Sequence, residues 1–257
     1  MENNTKIFTK DKTFVGARKV IFITVFTYAF LFMLTILLSI AGTSILENIL
    51  YNSKTGQQKA YYIALGLIIF GFISNLILSI FSGHRQNTSL WKSSLFAVFN
   101  VVVWTAIITG LLFLLKVYER QSTITGTNET FSFRNFLLLS CLPVLILMFC
   151  AAIGYFGLIN QHIIKITMVL LGISLMVLFV VSFFVLKVQW YYSLISILFI
   201  SATTAYEFYY VKKEIQNFAY VSSNSQIYSY GISLATRLFI NTSTMLIHLL
   251  RLFSRNN

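Results

Sequence analysis

Long apolar segments follow one another along the whole chain, and they constrain its fold more than any other feature of the sequence. They cover approximately residues 20–43, 60–82, 93–117, 136–158, 163–186, 191–211 and 227–250. A transmembrane helix needs about 20 consecutive, mostly apolar residues, so each segment is long enough to cross a bilayer. We therefore predict an all-α polytopic membrane protein, a seven-transmembrane-helix bundle whose membrane domain covers residues 20–253.

The composition excludes the main alternatives. The chain is 57% apolar and 10% charged, whereas soluble domains average about 25% charged residues. The alternating pattern of a membrane β-barrel is absent. A net charge of +12 can indicate a nucleic-acid partner, but in a membrane protein cationic loops hold the topology and lie against anionic head groups. We therefore predict the lipid bilayer as a partner, and no nucleic acid.

The basic segment 1–19 gives the orientation. It contains Lys6, Lys10, Lys12, Arg18 and Lys19, and the apolar segment after it is too long for the core of a signal peptide. With the N-terminus inside, the inner segments carry ten Lys and Arg residues and the outer ones eight. Since the first helix usually dominates topology, we predict a cytoplasmic tail at 1–19, an uncleaved first helix and a multi-pass protein of the cell membrane.

Enzyme motifs are missing from the sequence. It contains no HExxH, GxSxG, GxxxxGK[ST] or GxGxxG pattern. The three histidines, His84, His162 and His248, are too scattered to form a His-rich metal site. We expect neither a catalytic site nor a cofactor, beyond the weakly bound calcium considered below.

Glu207 is the one acidic residue well inside an apolar segment, out of seven in the chain. A charged group at membrane depth is costly, so it is a functional candidate by default. Arg237 lies about ten residues into the seventh segment. With a rise of about 1.5 Å per residue, both residues are roughly 8–15 Å deep. Because helical side chains lean toward their own N-terminus, Arg237 leans toward the level of Glu207, and a Glu207–Arg237 pair is reasonable.

Polar residues form a stripe on the seventh segment. Arg237, Asn241, Thr244 and His248 are spaced by four, three and four residues, which places them on one helix face. We expect that face to point into the bundle. Further candidates to line the same interior lie in other segments: Asn75, Asn100 and Thr204.

Each of these residues also has a purely structural interpretation. Glu207 can be an interfacial acid balanced by Lys212 and Lys213, and Arg237 can extend to the surface by itself. Asn and Thr side chains within spans are more often interhelical hydrogen-bonding groups than ligands. His248, near the outer end of its segment, is also compatible with an interfacial position.

The stretch around Glu207 resembles the sixth-helix motif of the Bax inhibitor-1 (transmembrane Bax inhibitor motif) family. That motif has Leu-Phe, a short spacer and TAYD followed by basic residues; this chain has Leu198 and Phe199, then TAYE over 204–207, then two lysines. The basic start of the family's first helix is similar to FVGARKV at 14–20. The family's glycine-aromatic turn is similar to FCAAIGYFGLIN at 149–160, and its closing LLRLFG is similar to HLLRLFSRNN at 248–257. The frequent use of Lys, Asn, Phe and Ile further suggests a divergent, mycoplasma-like bacterial member of this family.

The resemblance implies a pH-sensitive calcium leak channel. In bacterial members, an aspartate on the sixth helix and one on the seventh share a proton, and a basic residue on the second helix holds one of them. Here Glu207 takes the position of the first aspartate. An ungapped alignment of the C-terminal LLRLF stretch places Asn241 at the position of the second aspartate, and an alignment shifted by three residues would place Leu238 at that position. The second segment has no internal Arg or Lys, so Arg237 takes the role of the latch.

These departures lead to the function we expect: a cation (calcium) leak channel with altered pH gating. An amide cannot share a titrating proton as a carboxylate does, and a nearby arginine favours the ionised form of Glu207. Glu207 would also be a weak calcium ligand, assisted by amide oxygens. The alternative is a non-conducting regulator or scaffold, for example of a membrane-bound protease. A third interpretation, a small-solute permease, lacks the broken helices expected at a midplane site.

Overall fold

Seven α-helices make up the chain in the computed structural model, which describes residues 2–51, 56–81, 89–124, 133–182, 184–185, 188–221 and 223–255. The all-helical prediction is confirmed for these residues. In chain order the helices are α1 (Glu2–Tyr51), α2 (Gly56–Phe81), α3 (Leu90–Ile124), α4 (Phe133–Phe156), α5 (Gln161–Ser182), α6 (Gln189–Val221) and α7 (Asn224–Arg255).

Six of the seven helices are long and apolar enough to cross a membrane, which indicates a helical membrane protein. The candidate spans are Arg18–Leu50, Gln58–Leu78, Leu90–Val117, Leu138–Phe156, Gln161–Ser182 and Gln189–Ile215. The helix α7 has the necessary length but is more polar and falls outside this set. The helices also extend beyond the apolar segments. The helix α1 begins at Glu2 and includes the basic segment before Val20, and α6 continues to Val221.

Backbone packing divides the chain into two compact units. The α6 unit comprises Met1–Val20, Phe133–Ser222 and Ile240–Asn257; the α3 unit comprises Ile21–Ser132 and Ser223–Phe239. The helix α7 thus contributes its first half to the α3 unit and its second half to the α6 unit.

The α3 unit is built on close contacts between small residues and neighbouring helices. The helix α2 packs along α3, and a Cβ atom on Gly110 of α3 would lie 2.7 Å from the carbonyl oxygen of Ala64 in α2. A pair of hydroxyl groups adds a link between α3 and α7: Ser93 and Ser229 are 2.7 Å apart through their Oγ atoms. Small residues allow backbones to approach closely, and their hydroxyls hydrogen-bond across helices, as is typical of membrane proteins.

The α6 unit is organised around α6, which packs against both α4 and α5. A tight turn joins α4 to α5. Gly157 adopts a left-handed φ of 69°, and the backbone N–H groups of Gly157 and Leu158 donate to the carbonyls of Gly154 and Ile153, both at 3.1 Å. This is the Schellman arrangement, which satisfies the last carbonyls of a helix and favours glycine at the left-handed position. Asn160 Oδ1 then accepts the backbone N–H of His162 at 3.0 Å and caps α5.

The start of α7 is also fixed by a cap. Gln226 Oε1 accepts the backbone N–H of Ser223 at 2.9 Å, the return half of a capping box. From there the helix is shielded, since every residue from Ser229 to Leu250 is buried or half-buried.

Candidate functional site

Glu207 lies in α6 within the candidate span Gln189–Ile215. Its side chain is half-buried, and the Oε2 atom of its carboxylate is buried. A carboxylate oxygen held away from water inside a span-length helix is costly to keep charged. The structure therefore places the predicted acid inside a span-length helix with one of its oxygens buried.

A hydrogen bond between α6 and α7 lies one turn away from this acid. Asn241 Nδ2 donates to Thr204 Oγ1 at 3.2 Å, and Thr204 Oγ1 donates in turn to the carbonyl of Ile200 at 2.9 Å. Thr204 precedes Glu207 by three residues, so both lie on one face of α6. Two sequence-predicted residues, Thr204 and Asn241, are thus in direct contact, and Glu207 lies on the face of α6 where that contact is made.

The C-terminal half of the predicted α7 stripe has two different environments. Thr244 Oγ1 donates to the carbonyl of Ile240 in its own helix at 2.8 Å. The ring of His248 packs edge-on against Tyr192 of α6, with 5.7 Å between ring centroids. The Nδ1 atom of His248 is buried and has no hydrogen-bond partner among the described residues. His248 therefore packs within the α6 unit.

Three further predicted residues lie in the α3 unit. Arg237 is half-buried in the first half of α7, and its pairing with Glu207 of the other unit stays a prediction. Asn100 is buried in α3, and its Nδ2 donates to the carbonyl of Phe96 in the same helix at 2.8 Å. Asn75 is half-buried in α2. Asn100 thus makes a structural hydrogen bond within its own helix, not the interhelical bond that is common for such residues.

The TAYE stretch of α6 contacts α4 through Ala205, its smallest residue. A Cβ atom built on Gly154 of α4 would overlap the backbone carbonyl of Ala205 in α6. The two backbones can cross this closely only because one residue has no side chain and the other a single methyl group. Gly154 and Ala205 belong to the two stretches, FCAAIGYFGLIN and TAYE, that carry part of the family resemblance. The crossing fixes the position of Ala205 and, two residues on, of Glu207.

Sequence reasoning missed a group of aromatic hydroxyls next to Glu207. Tyr206 donates from its hydroxyl to that of Tyr210 at 3.3 Å, and Gln161 of α5 donates from Nε2 to the same Tyr210 hydroxyl. The spacing of the two tyrosines, four residues apart, is a signal that could have paired them on one helix face. No signal in the sequence points to Gln161 as their partner on α5.

A resident calcium ion does not fit these residues. Calcium takes about six to eight oxygen ligands, several of them usually carboxylates. No group of three or more His, Cys, Asp or Glu side chains within the described part of the chain could hold a metal ion. The arrangement can attract a cation through one carboxylate and nearby amide and hydroxyl dipoles, but it cannot enclose one.

Comparisons with known proteins leave the family open. No family model, no curated protein and no solved structure matches the chain.

Proposed function

We propose that this chain is a multi-pass membrane protein that lets cations, with calcium as the test ion, leak across the cell membrane. In this proposal α7 is a seventh span, the N-terminus is inside, and the chain is a divergent relative of the Bax inhibitor-1 family. The observation that carries the proposal is the position of Glu207: its Oε2 atom is buried in a span-length helix, on the face of α6 that holds the Thr204–Asn241 bond.

The physical argument concerns what a single shielded carboxylate does to a passing cation. In a low-dielectric interior, a carboxylate attracts cations more strongly than it does in water. With few neutral oxygens to complete a coordination shell, it holds a calcium ion weakly, and weak binding allows an ion to leave as well as to enter. Asn241 keeps an oxygen acceptor near the acid, but it cannot share a proton as a second carboxylate would.

Arg237 has the role of a latch in this proposal. A guanidinium is always charged and pairs well with carboxylates, so it competes with a cation for Glu207. Removing that charge should favour the conducting state, and neutralising Glu207 should lower the attraction for cations. The two substitutions are therefore expected to change flux in opposite directions.

Calcium flux into liposomes that contain the purified protein tests the proposal. Arg237→Gln should raise the flux and Glu207→Gln should lower it, measured between about pH 5 and pH 8. Glu214→Gln is the matched control, since it removes another carboxylate of α6 close to the end of the candidate span at Ile215. Absence of flux from the unmodified protein and from Arg237→Gln would refute the channel.

A non-conducting regulator is the second candidate, and four hydroxyl groups of the α6 unit favour it. Within α6, Ser196, Ser201 and Thr203 donate to carbonyls of their own helix, and Thr244 does the same in α7. Such bonds suit a packed interior rather than a wet pathway. A scaffold would bind a membrane partner, such as a membrane-bound protease, through its outer surfaces, and Glu207→Gln would leave that binding unchanged.

A further inference from the structure

Three candidate spans of the α6 unit reach the same end of that unit. The span of α4 ends at Phe156, that of α5 begins at Gln161, and that of α6 ends at Ile215. Side-chain contacts connect the end of α6 with the ends of α4 and α5. Hydrocarbon gives way to head groups where apolar spans end. In a bilayer, this end of the unit would therefore lie at head-group level in either orientation of the protein.

Basic and aromatic side chains contact one another at this end. The Nζ atom of Lys212 lies 5.9 Å from the centre of the Tyr155 ring in α4, and that of Lys213 lies 5.1 Å from the centre of the Tyr209 ring. Gln161 of α5 donates to the Tyr210 hydroxyl of α6. We call these residues the basic–aromatic cluster: Tyr155, Gln161, Tyr209, Tyr210, Lys212 and Lys213.

The cluster is accessible and positively charged. Lys212 and Lys213 are exposed, and Lys165, one turn after Gln161 on α5, is exposed as well. Glu214, half-buried, is the one carboxylate in the adjoining α6 segment 209–215. Each lysine of the cluster rests on a tyrosine ring, which holds the ammonium group near the end of the span through a cation–π contact instead of leaving it free to extend.

We propose that the basic–aromatic cluster binds the phosphate of an anionic phospholipid head group. The two ammonium groups supply charge, and the tyrosine hydroxyls and the Gln161 amide supply neutral hydrogen-bonding groups. A tyrosine at the interface keeps its ring near the acyl chains and its hydroxyl near the head groups. The proposal is independent of ion conduction and of the orientation of the protein.

The position of the cluster selects a lipid over a soluble anion. The cluster lies where three candidate spans end, and in a bilayer such ends would lie near the phospholipid phosphates. Juxtamembrane lysines are attracted to anionic lipid surfaces, and this attraction falls off within a Debye length. A site for a soluble phosphate would need neither the span ends nor the ring contacts.

Unfolding temperatures of the full-length protein in mild detergent test the proposal, since a ligand that binds only the folded state stabilises it by an amount that rises with the ligand's affinity. The probes are dioctanoyl phosphatidylglycerol, dioctanoyl phosphatidylcholine and glycerol 3-phosphate. Phosphatidylglycerol should stabilise the unmodified protein more than the other two. The apparent affinity of the double variant Lys212→Gln/Lys213→Gln for phosphatidylglycerol should be about thirtyfold lower than that of the unmodified protein. The double variant Lys212→Arg/Lys213→Arg should retain most of this affinity.

The matched control is Lys59→Gln/Lys92→Gln, which removes the same charge from exposed lysines near the starts of α2 and α3. It should keep the affinity for phosphatidylglycerol. Equal losses in the control and in the cluster variant would show a general charge effect and overturn the site. Equal stabilisation by glycerol 3-phosphate, or no preference of the unmodified protein for phosphatidylglycerol over phosphatidylcholine, would overturn the lipid as ligand.

Discussion

The helices α5 and α7 show opposite relations between composition and exposure. In α5 Ile164 is the only buried residue, and apolar side chains such as Ile166, Leu170 and Val177 are exposed. In α7 every residue from Ser229 to Leu250 is buried or half-buried, although this helix is too polar to qualify as a candidate span. The apolar helix faces outward, and the polar helix is covered by protein.

An exposed apolar helix and a buried polar helix are expected for a protein that is surrounded by lipid instead of water. Lipid tails are apolar, so a helix that faces them must be apolar, while a helix enclosed by others can carry hydroxyl and amide groups if those groups find partners. Thr236 and Thr244 of α7 donate to carbonyls of their own helix, both at 2.8 Å, and Asn241 donates to Thr204 of α6. The low hydropathy of α7 therefore goes with burial inside the protein, and it is compatible with a position inside the membrane.

The largest expected effect that tests this contrast comes from removing the same side chain on each helix. Leu246 of α7 is fully buried and Leu170 of α5 is exposed. We expect Leu246→Ala to lower the free energy of unfolding by about 2–5 kcal/mol because it leaves a cavity and loses packing contacts. Leu170→Ala should lower the free energy of unfolding much less, since lipid or detergent fills the space that the side chain leaves. Unfolding in mild detergent measures both, and equal losses would contradict the shielding of α7.

A second, smaller effect tests the crossing of α4 and α6. Gly154→Ala should lower the free energy of unfolding by about 1–3 kcal/mol because the new methyl group has no space beside the carbonyl of Ala205. Gly172→Ala on the exposed helix α5 is the control, since a Cβ atom there would lie 3.5 Å from Phe199, at ordinary contact distance. If Gly154→Ala is as well tolerated as Gly172→Ala, the two backbones do not cross as closely as described.

The smallest effect concerns the polar contact between α6 and α7. A double-mutant cycle with Thr204→Val and Asn241→Leu should give a coupling of about 0.6 kcal/mol, the typical size for interhelical hydrogen bonds in membranes. Pairing Asn241→Leu with Thr244→Val gives the control, because Thr244 donates to its own helix. A coupling in the control as large as that between Thr204 and Asn241 would show that the cycle reports general packing instead of their bond.

Sequence reasoning predicted the helices well because segment length alone indicates a span. It also placed Thr204 and Asn241 among the interior residues, Asn241 because of its position in the polar stripe of the seventh segment. It could not predict that they touch, since residues 37 positions apart meet only through the way α6 and α7 cross. Gly154 shows the same limit: a glycine inside a helix indicates close packing, but the sequence does not name Ala205 as its neighbour. The helical conformation of the segment before Val20 was missed because that segment has no apolar pattern.

The sides of the membrane on which the two termini lie provide the most direct test of the account. If α7 is a shielded seventh span, the termini lie on opposite sides, with the N-terminus inside. Single cysteines introduced by Asn4→Cys or Asn257→Cys, in a Cys141→Ser/Cys150→Ser background, can be labelled in right-side-out vesicles with a membrane-impermeant maleimide. We expect labelling at position 257 and protection at position 4. The same result at both positions would mean an even number of spans and would contradict a membrane-spanning α7.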